Sequence, residues 1–186
     1  MLKDKIQIQD SLMTILLNKE YKRIQMNEIL KKSKLRYKKP FPYYKNKEEV
    51  LIDFFERIDL VMKKKLINMK MSKNVKDNLF EAFMIRIDIL KPFKKSVNNV
   101  YLSVKHQPNL FLCLYQSFFK TVKLILNLCH IKTDPIKGHL KFMIFALIYF
   151  STIQEWFKDF SEDNEKTMYI LDKRLSMFED FFIQVN

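Results

Sequence analysis

Two cysteines and three histidines are the side chains of this sequence best suited to bind a metal or attack a carbonyl, and their spacing supports neither. His106, His130 and His139 stand at no metal-ligand spacing to Cys113, Cys129 or the acids. His130 directly follows Cys129, and adjacent residues of a helix point away from each other, so they form no nucleophile–base pair. One glycine in the whole chain, Gly138, leaves no Gly-rich loop to cradle a phosphate. The expectation is a protein that is not an enzyme, with no cofactor and no metal. The two thiols lie within an apolar helical pattern and read as buried free cysteines of a reducing compartment.

The chemistry that the residue types do offer is charge. Residues 31–47 read KKSKLRYKKPFPYYKNK, with eight Lys or Arg, no acid, two prolines and four aromatics. The whole chain carries a formal net charge of +13, and residues 1–50 hold thirteen Lys and Arg against six Asp and Glu. Such a balance suits a polyanionic partner, either nucleic acid or an anionic membrane surface. The plain alternative is solubility combined with the Lys- and Asn-rich usage of an AT-rich coding sequence.

The elements that would position this charge are helical. One Gly and five Pro argue against hairpins, which need positive φ. Ile8, Leu12, Ile15 and Leu16 share one face of a helix over 3–18. A short helix follows over 25–32, then a turn at Ser33 and Lys34, then a third short element over 37–44. Asn46 with Glu49 is a capping signature for a long helix over 47–70. Asn74 with Asp77 opens the next helix, which Pro92 limits. Further helices are expected over 93–105, 110–129, 135–157 behind Asp134-Pro135, and 162–182 behind Ser161. The fold class is therefore all-α, with about nine helices and no repeat. Three short helices before a long capped one form a helix-turn-helix head, residues 1–46, on a helical body, residues 47–186. In such heads the third helix enters the major groove and the flanking helix ends bind phosphates.

At Ile29-Leu30, Leu35 and above all FPYYKNKEEVL (41–51), the chain resembles the TetR family of transcriptional regulators. The family's recognition helix ends in an aromatic pair followed by Lys-Glu, matched by Tyr43-Tyr44 and Lys47-Glu48. That resemblance implies a homodimer on double-stranded DNA. It implies a DNA-facing set of Lys34, Arg36, Lys38, Lys39, Tyr43 and Lys47, mostly on phosphates, with Arg36 and Lys38 expected to reach a base edge. The sequence departs from the family at Ser33-Lys34, where Ala-Gly is usual, and at Gln25, where Thr or Ser opens the second helix. Pro40 falls inside the reading helix with Pro42 two residues on. Each internal proline removes a backbone bond at a cost of about 3 kcal/mol.

WFKDFSEDNEKTMYILDKRL (156–175) resembles the ending of many TetR-like chains. It is also similar to the same segment of the ubiquinone-biosynthesis accessory proteins, which bind lipid or isoprenoid on a TetR-like fold with a degenerate DNA-binding head. The family pattern implies dimerisation through the last two helices. The apolar run FMIFALIYF (142–150) fits either such a seam or an ordinary intrachain core. Phe83, Phe111, Leu114, Phe118 and Met143 could line a pocket for a small apolar or lipid ligand; core packing alone also explains them. A degenerate regulator that retains only dimerisation is a third reading. Between Lys141 and Glu155 lie only thirteen uncharged residues, too few to span a bilayer, and the N-terminus lacks a signal-peptide core. The chain is expected to be soluble and cytoplasmic.

Overall fold

The apolar periodicities fold as helices, and the computed structural model of the chain describes residues 2–35, 43–131 and 137–182. In chain order they are α1 (Leu2–Leu16), a 3₁₀ turn (Tyr21–Arg23), α2 (Met26–Lys32), α3 (Lys47–Ile67) and α4 (Val75–Leu90). A second 3₁₀ turn (Lys91–Phe93) leads to α5 (Lys94–Val104), α6 (Pro108–Leu128), α7 (Lys137–Lys158), α8 (Glu165–Met177) and α9 (Glu179–Phe182). No strand occurs among the described residues.

The expected count of about nine helices is corrected. Among the described residues seven exceed ten residues, while α2 and α9 have only seven and four. The third element expected over 37–44 lies mostly outside the described residues, and its last two, Tyr43 and Tyr44, are not helical. The final helix expected over 162–182 starts later, at Glu165, and breaks at Phe178, whose φ of −122° and ψ of 15° leave the helical region. Asp134-Pro135 lies outside the described residues.

The capping signals act as their chemistry requires. Asn46 Oδ1 accepts the Glu49 N–H at 2.9 Å, and the Glu49 carboxylate reaches back to the Lys45 N–H at 2.7 Å. Asn74 Oδ1 accepts the Lys76 N–H at 2.7 Å to start α4. Pro108 is the first residue of α6, where a missing N–H costs nothing. At the α7–α8 corner the expected Ser161 cap is present, its Oγ accepting the Glu165 N–H at 2.9 Å, and Asp159 adds to it. Asp159 Oδ2 accepts the Thr167 N–H at 2.8 Å and the Thr167 hydroxyl at 2.6 Å, while its Oδ1 accepts the Ser161 N–H at 3.0 Å. Asn164 sits in the left-handed region, φ 57°, which asparagine tolerates, and its Oδ1 accepts the Trp156 indole N–H at 3.2 Å.

The chain divides into two compact units, Met1–Ile58 with Lys91–Ser117, and Asp59–Leu90 with Phe118–Asn186. The first holds the expected head together with the start of α3, α5 and the first part of α6. In it α1 packs on α2 and α5, around buried Ile8, Leu12, Leu16, Tyr21, Ile29 and Phe54. Each such side chain contributes about 1.5–3 kcal/mol by leaving water. α5 also closes the end of α1: Ser96 donates to the Met13 carbonyl at 2.6 Å, and Asn99 to those of Leu16 and Lys19 at 2.9 and 3.1 Å.

In the second unit α8 packs on α4 and α7, over buried Phe83, Ile87, Phe145, Leu171 and Leu175. Inside it a polar network crosses four helices. Arg86 Nε donates to Asp59 at 2.9 Å and its terminal nitrogen to the Tyr149 hydroxyl at 2.9 Å, while Thr121 donates to Asp59 at 2.6 Å. Burial alone would lower the Arg86 pKa, but the Tyr149 and Asp59 interactions outweigh it and raise it. The guanidinium therefore stays charged. No helix among the described residues is long and apolar enough to cross a membrane.

Candidate nucleic-acid interface

Of the six residues expected to face DNA, Arg36, Lys38 and Lys39 lie outside the described residues. The other three take separate roles. Lys34 follows α2 at φ 54°, is exposed, and donates its N–H to the Lys31 carbonyl at 3.2 Å. This is the left-handed position that commonly ends a helix and favours glycine, so a lysine there costs about 1–2 kcal/mol. Ser33 before it is buried, donates its hydroxyl to the Leu30 carbonyl at 2.7 Å, and receives the Gln7 amide on its own carbonyl at 2.8 Å. The turn is thereby held against α1, and Lys34 projects from a fixed base.

Lys47 points inward. Its ammonium donates to the carbonyls of Tyr21 at 2.8 Å, Ile24 at 2.9 Å and Lys22 at 3.5 Å, and lies 4.5 Å from the Tyr21 ring centroid. An ammonium has three donors, and here all three have backbone acceptors. Desolvation lowers its pKa. Lys47 clips the Tyr21–Arg23 turn to the start of α3, so a phosphate contact would cost it one of these bonds. Glu48 completes the clip by accepting the Tyr21 hydroxyl at 3.2 Å; burial first, then that carboxylate, pushes the phenol pKa up.

The aromatic pair is likewise tied to α1. The half-buried Tyr43 donates its hydroxyl to Asp4 at 3.0 Å. Tyr44, 5% exposed, donates to Asp53, and the Gln9 amide reaches both groups at 3.1 Å. Lys5 adds an ion pair to Asp53 at 3.2 Å. These bonds fix the chain that leaves residues 36–42, and they leave the Tyr44 ring unavailable to a ligand.

The exposed charge missing from the expected set lies on α2. Lys31 and Lys32 in its last turn are exposed, as are Lys22 and Arg23 in the preceding 3₁₀ turn. Lys19, Lys31, Lys32 and Lys34 line an open groove of about 640 Å³ between α1 and α2. Glu28, the single acid on that wall, is paired with Lys19 at 2.7 Å. Lys31 and Lys32 are the first two residues of the basic run 31–47, so this charge is present in the sequence pattern itself.

The five candidate ligand-pocket residues differ in burial. Phe83 is fully buried with its ring 4.8 Å from Tyr149, and Phe118, half-buried, meets the same ring at 5.5 Å. Met143 and Phe111 are exposed at 38% and 49%, and Leu114 is half-buried. Phe111 and Leu114 belong to the first unit, the other three to the second. Burial pushes the Cys129 thiol up to about 12, in keeping with an inert core cysteine.

Solved structures decide the architecture. Over 93% of this chain and 96% of the other, the fold matches a TetR transcriptional regulator from Nitrosomonas europaea ATCC 19718, with a TM-score of 0.74 and 17% identity. A protein described as a TetR-family transcriptional regulator from Syntrophomonas wolfei str. Goettingen matches over 99% and 98%, at 0.71 and 13% identity. The fold is that of TetR regulators. A TetR transcriptional regulator from Rhodococcus sp. RHA1 aligns over 92% of this chain and 97% of its own, at a TM-score of 0.52 and 14% identity. No protein-family model and no curated protein sequence matches this chain significantly. Among the described residues α7 and α8 are the last two long helices.

Proposed function

We propose that the chain is a transcriptional regulator that binds duplex DNA as a homodimer. The observation that carries this reading is the exposed basic face at the end of α2, Lys31, Lys32 and Lys34, on a TetR fold. Residues 1–46 form the DNA-binding head and residues 47–186 the body. Binding rests on ammonium–phosphate contacts, so its strength falls steeply with salt. Lys47 and Tyr44 serve this surface indirectly, by holding the turn and the start of α3 in place. No catalytic role is proposed.

α7 supports the dimer half of the reading. In the run 142–150, Phe145, Ala146, Ile148 and Tyr149 are buried within the chain, while Met143, Leu147 and Phe150 are exposed. With Leu140 these three make an apolar stripe at helical spacing, the kind of face that a second copy covers. A small apolar effector would bind in the body and shift the heads, with Phe83 and Phe118 among its contacts.

The test is titration of a fluorescent mixed-sequence duplex at about 50 and about 200 mM salt. The expected result is binding that weakens strongly with salt, and a salt slope lowered by about 3 in the Lys31→Gln/Lys32→Gln/Lys34→Gln variant. Absent or salt-independent binding overturns the reading. Leu147→Glu is expected to give a monomer in analytical ultracentrifugation.

A further inference from the structure

The lysine that the TetR resemblance assigns to a phosphate is turned into the head, and the turn it holds carries charge of its own. The ammonium of Lys47 donates to the carbonyls of Tyr21, Lys22 and Ile24, which belong to the 3₁₀ turn Tyr21–Arg23 and the residue after it. The turn is also closed on itself, the Arg23 N–H donating to the Glu20 carbonyl at 3.0 Å and the Ile24 N–H to that of Tyr21 at 3.2 Å. Tyr21 and Ile24 are buried, at 0% and 2% exposure. Between these two anchors stand Lys22 and Arg23, both exposed. With its carbonyls bound and its flanking side chains in the core, the turn holds two basic side chains outward on a fixed base.

Local charge and distance suit this turn to a phosphate backbone. Lys47 and Glu48 offset each other in net charge, and the Glu48 carboxylate is occupied by the Tyr21 hydroxyl at 3.2 Å. Glu20 lies 3.3 Å from Arg23, but their side chains are 65% and 73% exposed. An exposed pair of that kind contributes little and yields to a phosphate, which accepts the guanidinium fork more strongly. α2 separates the turn from Lys31, Lys32 and Lys34 at its other end. Its seven residues span about 10 Å, roughly three base-pair rises, so one stretch of sugar–phosphate backbone can meet both ends. We propose that Lys22 and Arg23 form a second phosphate-binding site of the head, and that Lys47 is the positioning residue that presents it. The inference rests on the DNA-binding reading above, and moves the contact that the family pattern places at the start of α3 to the turn before α2.

Titration of the full-length protein with the same duplex, over about 50 to 200 mM salt, tests both parts. Lys22→Gln/Arg23→Gln is expected to lower the salt slope by about 2. Its thermal melt should match that of the unsubstituted protein, since both side chains are exposed. Lys47→Met is expected to weaken binding severalfold in the parent and to add little in the Lys22→Gln/Arg23→Gln background, because it acts through that pair. Lys47→Gln, uncharged yet able to donate to the turn, should recover part of that loss and covers the case in which Lys47→Met does not fold. Equal weakening by Lys47→Met in the two backgrounds, or a Lys47→Gln variant that recovers nothing, would make Lys47 a direct contact and overturn its positioning role. A salt slope unchanged in Lys22→Gln/Arg23→Gln overturns the second site and leaves Lys31, Lys32 and Lys34 as the interface. Absent binding by the unsubstituted protein overturns the DNA-binding reading itself, and this inference with it.

Discussion

The two units handle charge in opposite ways. The first has eighteen Lys and Arg against eight Asp and Glu, and it leaves much of that excess on the surface at Lys22, Arg23, Lys31, Lys32 and Lys34. The second is nearly balanced, sixteen against thirteen, and takes several of its charged groups inside, where Arg86 meets Asp59 and Asp159 caps α8. An exposed lysine contributes little to folding, because water and salt screen it. A buried carboxylate or guanidinium is costly unless its partners stay in place. Charge in the first unit is therefore left largely to the surface, and charge in the second serves the fold.

Substitutions that separate stability from binding would break or sharpen this contrast. The largest effect is expected from Arg86→Ala, which leaves Asp59 buried without its counter-ion. Urea denaturation should show a loss of about 3–5 kcal/mol, with the salt slope of DNA binding unchanged. Asp59→Leu combined with Arg86→Met should recover much of it, because apolar groups of similar volume replace a buried pair with little loss. A double variant as unstable as Arg86→Ala would show that the network does more than satisfy itself.

Asp159→Asn comes next. Burial alone would raise the Asp159 pKa, yet the donors of Ser161 and Thr167 outweigh burial and hold it well below the ordinary carboxylate value. A group with a depressed folded pKa stabilises above its unfolded pKa, and that stability is lost as pH falls through the acid range. The variant should lose about 1–2 kcal/mol at neutral pH and converge on the parent protein in acid. Parallel stability–pH curves would show that the cap does not depend on the charge of Asp159.

The smallest effect, and the one with opposite signs, belongs to Lys34→Gly. Relief of the left-handed backbone should stabilise the head by about 1 kcal/mol, while the loss of one phosphate contact lowers the salt slope by about 1. Thermal melts and duplex titration on the same sample check both. A glycine variant that binds DNA as well as the parent would remove Lys34 from the interface.

Much of the fold was legible because its signals are local. Asn46 and Asn74 act on backbone groups within a turn of themselves, so their chemistry can be read from spacing. What escaped depends on tertiary neighbours. The family pattern assigns Lys47 to a phosphate, but its acceptors come from a turn more than twenty residues earlier, which no local pattern announces. The Asp59–Arg86 pair is invisible for the same reason, since helix periodicity places both residues but not their partners. The late start of α8 arises because Ser161 Oγ holds the Glu165 N–H and Asp159, just past α7, holds that of Thr167, with Asn164 left-handed between them. Of the basic run 31–47, the described lysines 31, 32 and 34 are exposed at the end of α2, while Arg36, Lys38 and Lys39 lie outside the described residues.

The corner between α7 and α8 also carries a built-in optical reporter. Trp156 is the only tryptophan in the chain, is fully buried, and its indole N–H is held by Asn164. Its emission should therefore be blue-shifted and poorly quenched by iodide while the corner is closed. Because no other indole contributes, a red shift on adding effector, partner or acid would time the opening of this one corner without any label.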